Sequence, residues 1–218
     1  VKTLLAGVTL LILGDSHVTF QDSLLSVLPE SYEKLGAKVV TYGVCSSAPN
    51  EWLKGPEDDG CGGALRMGTE PVKDPFAAPF PFPDINSLIA KWNPTAVIVV
   101  YGDTIGAYGA DTLPGEWIDA QIGPLTAAIS SKTSCIWVGP TWGTFNPRYG
   151  KTEEKTRRIA AYLSTHTRPC TYIDGTSFMQ SSAVKTVDGL HLTPESYKAW
   201  GAGIVNATLP ALTTENKG

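Results

Sequence analysis

The sequence is poor in charge and carries no run of basic residues: charged side chains make up 17% of its 218 residues, and its formal net charge is −4. Nucleic-acid binding depends on clustered Lys and Arg that neutralise phosphates, so this balance excludes it. No apolar stretch approaches the ~18 residues that a membrane span requires. No internal period appears, which removes a repeat array. Disorder needs low hydrophobicity with high net charge, whereas 42% of these residues are hydrophobic. None of the four cysteines belongs to a CxxC pair, so a zinc site of the usual spacing is not expected. There remains a globular chain of single-domain length, large enough to bury a core. Its 22 glycines and 16 prolines point to long structured loops.

Val1 to Leu13 imitates a short signal peptide, with Lys2 near the front. No small-residue cleavage site follows, and the run feeds directly into Gly14-Asp15-Ser16, so it reads as a buried first strand. Further apolar runs at 37–42, 96–101, 135–139 and 171–173 are short and continuous, as strands covered on both faces are. Between them lie segments with helical spacing: 21–35, 85–92, 117–130 and 152–165. Thr193-Pro194 has the form of an N-cap followed by proline at the first helical position, opening a helix to about Leu209. The alternation predicts an α/β domain over 1–218 with a parallel sheet of about five strands. In such sheets, sites gather at the carboxyl ends of the strands, and here four of five strand exits carry glycine: Gly14, Gly43, Gly102 and Gly139.

Residues 44–84 break the rhythm. They hold two cysteines, a Gly60-Cys61-Gly62-Gly63 cluster and five prolines between Pro71 and Pro83, and read as an irregular insertion beside the sheet edge. If 135–139 and 170–174 are neighbouring parallel strands in register, Cys135 and Cys170 both fall at the strand starts, within bridging reach. Cys45 and Cys61 would then staple the insertion. Such pairing needs an oxidising compartment such as a periplasm; four buried free thiols in a cytosolic protein are the alternative.

Ser16 follows the first strand and heads a helical turn, where backbone N–H groups suit a developing oxyanion. Far along the chain, Val187-Asp188-Gly189-Leu190-His191 offers a base and a carboxylate in one short loop. A serine becomes nucleophilic through such a base, which needs a carboxylate on its other nitrogen to hold the right tautomer. No metal or other cofactor is called for. Of the other histidines, His17 opens a helix and reads first as structural, and His166 as solvated. Asp15 reads as a cap for the serine turn.

The paired blocks Gly14-Asp15-Ser16 and Asp188-Gly-Leu-His191, in this order and spacing, resemble the SGNH (GDSL-type) hydrolase superfamily over nearly the whole chain. The resemblance implies a flavodoxin-like three-layer α/β/α sandwich. It assigns Ser16 as nucleophile, His191 as general base and Asp188 as its orienting partner. It also implies an oxyanion hole from Ser16, the glycine after strand two (matched here by Gly43) and a third block that departs from the pattern. That block is Gly-x-Asn-Asp in the family and reads Gly102-Asp103-Thr104-Ile105 here, with Thr104 in place of the asparagine amide. Losing one such donor costs ~3 kcal/mol of transition-state stabilisation.

Gly14-Asp15-Ser16-His17 further resembles the SGNH domains of bacterial cell-surface polysaccharide O-acetylation. This implies a carbohydrate or acyl-ester substrate, an extracytoplasmic location and a membrane acyl-donor protein or domain as partner. Tyr101, Trp142 and Trp52 are then candidates to stack on sugar rings, while Trp137 and Trp200 read as core. The expectation is a serine-dependent O-acyl esterase or O-acetyltransferase, monomeric at this charge and without a coiled-coil pattern. Two alternatives stay open: a lipase or thioesterase, and a catalytically weak glycan-binding module on the same scaffold.

Overall fold

Continuous apolar runs without polar alternation build the sheet of the computed structural model, which describes residues 3–57, 61–72 and 81–214. Strand β1 (Thr9–Gly14) lies at the centre, parallel to β2 (Lys38–Val44) on one side and β4 (Ala96–Val100) on the other. Strands β5 (Ser134–Val138) and β6 (Thr171–Ile173) continue the parallel order beyond β4. Strand β3 (Gly63–Met67) pairs antiparallel with β2, giving the order β3-β2-β1-β4-β5-β6.

Side chains of a strand point alternately to its two faces, and each face here has its own core. Leu10, Ile12, Ile98 and Val100 pack with helices α1 (Leu24–Lys34) and α5 (Pro194–Thr214). Leu11, Leu13, Val97 and Val99 pack with α2 (Ile85–Trp92), α3 (Gly115–Ser130) and α4 (Glu153–His166). Both faces are covered, so polar alternation would have buried unpaired polar groups, and the strands read as continuous hydrophobic runs. Each fully buried Leu or Ile contributes about 1.5–3 kcal/mol. The helices start where short polar side chains accept exposed amides: Ser23 from Leu25, Asp84 from Asn86 and Ser87, Thr152 from Lys155. Thr193 Oγ1 accepts from the Ser196 amide at 3.4 Å at the start of α5.

Three departures from the expected architecture have physical causes. The sheet has a sixth strand, and it is antiparallel. Gly63-Ala-Leu-Arg-Met67 has neither helical nor strand period, and tertiary pairing makes it a strand: it ladders with β2, and the Arg66 guanidinium donates to the carbonyls of Leu25 and Glu70. The segment 44–84 is therefore only partly irregular, and also carries a short helical turn at Pro49–Leu53. Gly60 of its glycine cluster, and Pro75 and Pro79, lie outside the described residues. Finally, α5 runs past Leu209 and through Pro210 to Thr214, with Leu212 buried in the α1 face of the core.

Cys45 is bonded to Cys61, with α-carbons 5.5 Å apart, and Cys135 to Cys170, with α-carbons 4.6 Å apart. Ile136 pairs with Thr171, so the second bond joins β5 to the residue just before β6. Disulfides of this kind form in oxidising compartments outside the cytoplasm. Among the described residues, no helix is long and apolar enough to cross a membrane.

Candidate active site

Two short turns meet at the carboxyl edge of the sheet. The first leaves β1 at Gly14 and forms one helical turn over Ser16–Val18, capped by Asp15, whose Oδ1 accepts the His17 amide at 3.0 Å. The turn is held close to the neighbouring strand: a Cβ on Gly43 would sit 2.2 Å from the Val18 carbonyl oxygen. The Ser16 amide opens the turn, where the first N–H groups have no intrahelical acceptor.

The second turn is Asp188–His191. The Val187 amide donates to the His191 carbonyl at 2.8 Å, and Gly189 takes a φ of +94° that a side chain would resist. The segment after β5 braces this turn, with the Thr144 amide on the Gly189 carbonyl at 3.0 Å and Asn146 Nδ2 on the Asp188 carbonyl at 2.7 Å.

Across the edge, His191 Nε2 lies 2.8 Å from Ser16 Oγ, and His191 Nδ1 lies 2.7 Å from Asp188 Oδ2. Asp188 Oδ1 accepts the amides of Leu190 and His191 at 3.0 and 2.8 Å, and Tyr149 Oη donates to Oδ2 at 3.1 Å. Burial pushes the Asp188 carboxyl up, but the hydrogen bonds from His191 and the two amides outweigh it and bring its pKa down to about 2. An ionised Asp188 takes Nδ1–H as its donor, which leaves Nε2 as the acceptor facing the serine hydroxyl. This chain can draw a proton from Ser16 and return it to a departing oxygen.

A second, fully buried network lies directly behind. His17 Nε2 is 2.7 Å from Asp103 Oδ2, and His17 Nδ1 is 2.9 Å from Tyr197 Oη. Asp103 also accepts from Tyr108 Oη at 2.6 Å and from Lys151 Nζ at 2.7 Å, and Lys151 is 1% exposed. Burial works against the Asp103 charge, but Lys151 and then His17 outweigh it and hold the carboxyl well below the usual range. At Asp15, burial outweighs the charge and amide of His17 and raises the pKa.

No protein-family model matches the chain. A protein named BcsX from Komagataeibacter xylinus is 54% identical over 211 residues, which cover 97% of this chain and 80% of that protein. The chain belongs to the BcsX family. Its architecture is the SGNH (GDSL-type) hydrolase fold. A DUF4886 family protein from Bacteroides uniformis superposes with a TM-score of 0.63 at 13% identity, over 92% of this chain and 82% of that one. A lipase/acylhydrolase from Enterococcus faecalis superposes with a TM-score of 0.60 at 13% identity, over 94% and 96% of the two chains. At such identities the likeness is one of fold.

In this BcsX-family chain, several residues singled out from sequence stand elsewhere than expected. Gly43 lies within β2, between Gly14 and Ala64. The Cys45 amide donates to the Gly62 carbonyl and the Gly68 amide to the Val39 carbonyl, so strand alternation turns the Gly43 amide toward β3 and into the ladder. Its glycine is needed for the close approach of Val18, and the left-handed turn out of β2 falls at Ser46, with φ +63°. Thr104 directs its hydroxyl to Asp15 Oδ2 at 3.3 Å. The three aromatic residues expected at the substrate are core: Trp52 Nε1 donates to Tyr101 Oη, which also bonds Ser47, and Trp142 Nε1 donates to the carbonyls of Thr176 and Met179. All three side chains are buried. His166 is exposed, as expected, but it ends α4 and stacks on Tyr162 with ring centroids 3.7 Å apart.

Besides His17, the rings of Phe20 and Tyr149 border His191, both edge-on at 5.8 and 6.4 Å. Neither was singled out from sequence, nor were Lys151 and Tyr197. Only Phe20 carried a local signal, lying four residues after Ser16.

Proposed function

We propose that the chain is a serine-dependent O-acyl esterase or O-acetyltransferase that acts on carbohydrate through an acyl-Ser16 intermediate. The observation that carries this reading is the continuous hydrogen-bonded line from Ser16 Oγ through His191 to Asp188. In acylation, Ser16 Oγ attacks the ester carbonyl carbon and its proton passes to His191 Nε2. The carbonyl–alkoxide bond then breaks, and His191 returns the proton to the departing alcohol. In deacylation, water or a sugar hydroxyl gives its proton to His191 while its oxygen bonds the acyl carbon. Ser16 Oγ leaves and recovers the proton. Asp188 orients the ring and stabilises the imidazolium in both halves.

Support for an ester substrate comes from the fold and from the name of the Enterococcus lipase/acylhydrolase. Support for a carbohydrate and an acetyl group comes from the Gly14-Asp15-Ser16-His17 resemblance. The two disulfides favour a periplasmic or other extracytoplasmic place of action. In a transferase, a membrane-borne protein would supply the acyl group.

p-Nitrophenyl acetate tests the reading directly. Wild-type protein should release nitrophenol and show a mass-spectrometric acyl adduct on the peptide carrying Ser16. Ser16→Ala should abolish both, with a rate loss of about 10³-fold or more. Turnover that survives this substitution would remove Ser16 from the chemistry. A transferase differs by forming acyl-glycan at the expense of free acetate when an acceptor is added.

A further inference from the structure

A cleft of 370 Å³ opens beside His191, with Tyr197 of the buried network in its lining. Its walls are mainly apolar, from Phe20, Val187, Leu192 and Pro194, with Asp22 and Ser23 also in the lining. Val187 is 74% exposed. The cleft shares Asp22 and Pro194 with a second one of 520 Å³, whose walls carry Lys34, Arg66 and Lys198. Together they form a trough that begins apolar at His191 and becomes polar and charged with distance.

We infer that this trough is the binding site for the alcohol side of the ester, and that the alcohol is a glycan chain. The inference rests on the acyl-Ser16 chemistry proposed above. Its geometric ground is His191, which lines the cleft while its Nε2 faces Ser16 Oγ. In acyl transfer the histidine hands its proton to the departing alkoxide, so the alcohol must lie on the histidine side of the serine. By microscopic reversibility, an accepting sugar hydroxyl enters by the same route. A fatty alcohol would match the apolar start but leave the polar continuation without a partner. A pyranose unit matches both, with its C–H face on Phe20 and Val187, its rim hydroxyls toward Asp22, and its neighbours in the polar part. Phe20, edge-on to His191 at 5.8 Å, becomes the specificity-determining residue.

The test uses acetate esters that differ only in the alcohol: ethanol, methyl glucoside and a glucose trisaccharide. Wild-type kcat/KM is expected to rise along this series. The rise should flatten by about tenfold in Phe20→Ala and about threefold in Val187→Ser. Preference along a series of ethyl esters with lengthening acyl chains should keep its slope in both variants. A collapse of the acyl series would make the trough an acyl pocket, and no change in either series would leave it without a role; either result overturns the inference. If wild type turns over none of these esters, the acyl-enzyme reading fails by itself. Titration calorimetry with the unacetylated trisaccharide then still decides: saturable binding weakened about threefold by Val187→Ser supports the trough, and absent or unaltered binding overturns it.

Discussion

His17 and His191 lie with ring centroids 5.6 Å apart, and each is 2.7 Å from an aspartate oxygen. The two pairs are wired in opposite senses. His191 gives Nδ1 to Asp188 and turns Nε2 to Ser16, whereas His17 gives Nε2 to Asp103 and has its Nδ1 held by Tyr197. Their surroundings differ as much. The Asp188 side chain is 36% exposed, and its charge rests on hydrogen bonds and on His191; the Asp103 side chain is 2% exposed, and its charge is matched by Lys151. A histidine–aspartate pair is thus not in itself a base. It becomes one when the second ring nitrogen meets a reacting group, and a fixed scaffold when that nitrogen is already occupied.

The largest effect that would break this contrast is on chemistry. His191→Gln should lower Ser16-dependent ester turnover by about 10³–10⁶-fold, and Asp188→Asn by about 10⁴-fold, with little change in thermal midpoint. Steady-state kinetics beside a melting curve checks this, and a comparable kinetic loss from His17→Gln would abolish the distinction. The next effect is on stability. Lys151→Met leaves the Asp103 charge buried without its cation, at a cost of about 3–5 kcal/mol read by urea unfolding.

The same substitution should change the response to acid. The Asp103 carboxyl titrates below its ordinary 3.8 in the folded protein, so its stabilising contribution is complete above that pH and lost as pH falls through the folded value. Without Lys151 the folded value rises, and acid unfolding followed by circular dichroism should begin at higher pH. An unmoved acid transition would mean that Lys151 does not hold the carboxylate charged.

Smaller is the effect of His17→Gln, whose amide can still donate to Asp103: about 1–3 kcal/mol of unfolding free energy. The finest discrimination is spectroscopic. In the neutral rings, nitrogen chemical shifts should show the proton on Nδ1 of His191 and on Nε2 of His17. Identical tautomers would contradict the opposed wiring.

The two networks also mark how far the sequence could be read. Ser16, Asp188 and His191 were legible because each sits in a short local signal, a strand exit or a four-residue turn, and the fold only has to bring two signals together. The Lys151–Asp103 pair joins residues 48 positions apart through no periodic pattern, so neither partner announces the other. The strands were legible from apolar runs, but β3 was not, because an edge strand with Arg66 owes its form to its neighbour. Tyr101, Trp52 and Trp142 misled because their polar atoms satisfy one another or backbone carbonyls inside the core, which sequence cannot distinguish from a polar edge turned to a ligand. Gly43 misled in a similar way: a glycine at a strand exit can supply an amide or merely make room.

The antiparallel strand β3 has a consequence for how copies of the chain meet. A long parallel strand left at the rim of a sheet offers a row of free amides and carbonyls on which another chain can crystallise as a further strand. Here β2, seven residues long, is covered by a five-residue strand, and the opposite rim is β6, with only three residues. Both borders of the sheet are therefore short templates, and the disulfides fasten each near its end, through Cys61 beside β3 and Cys170 beside β6. The chain carries its own protection against edge-to-edge aggregation.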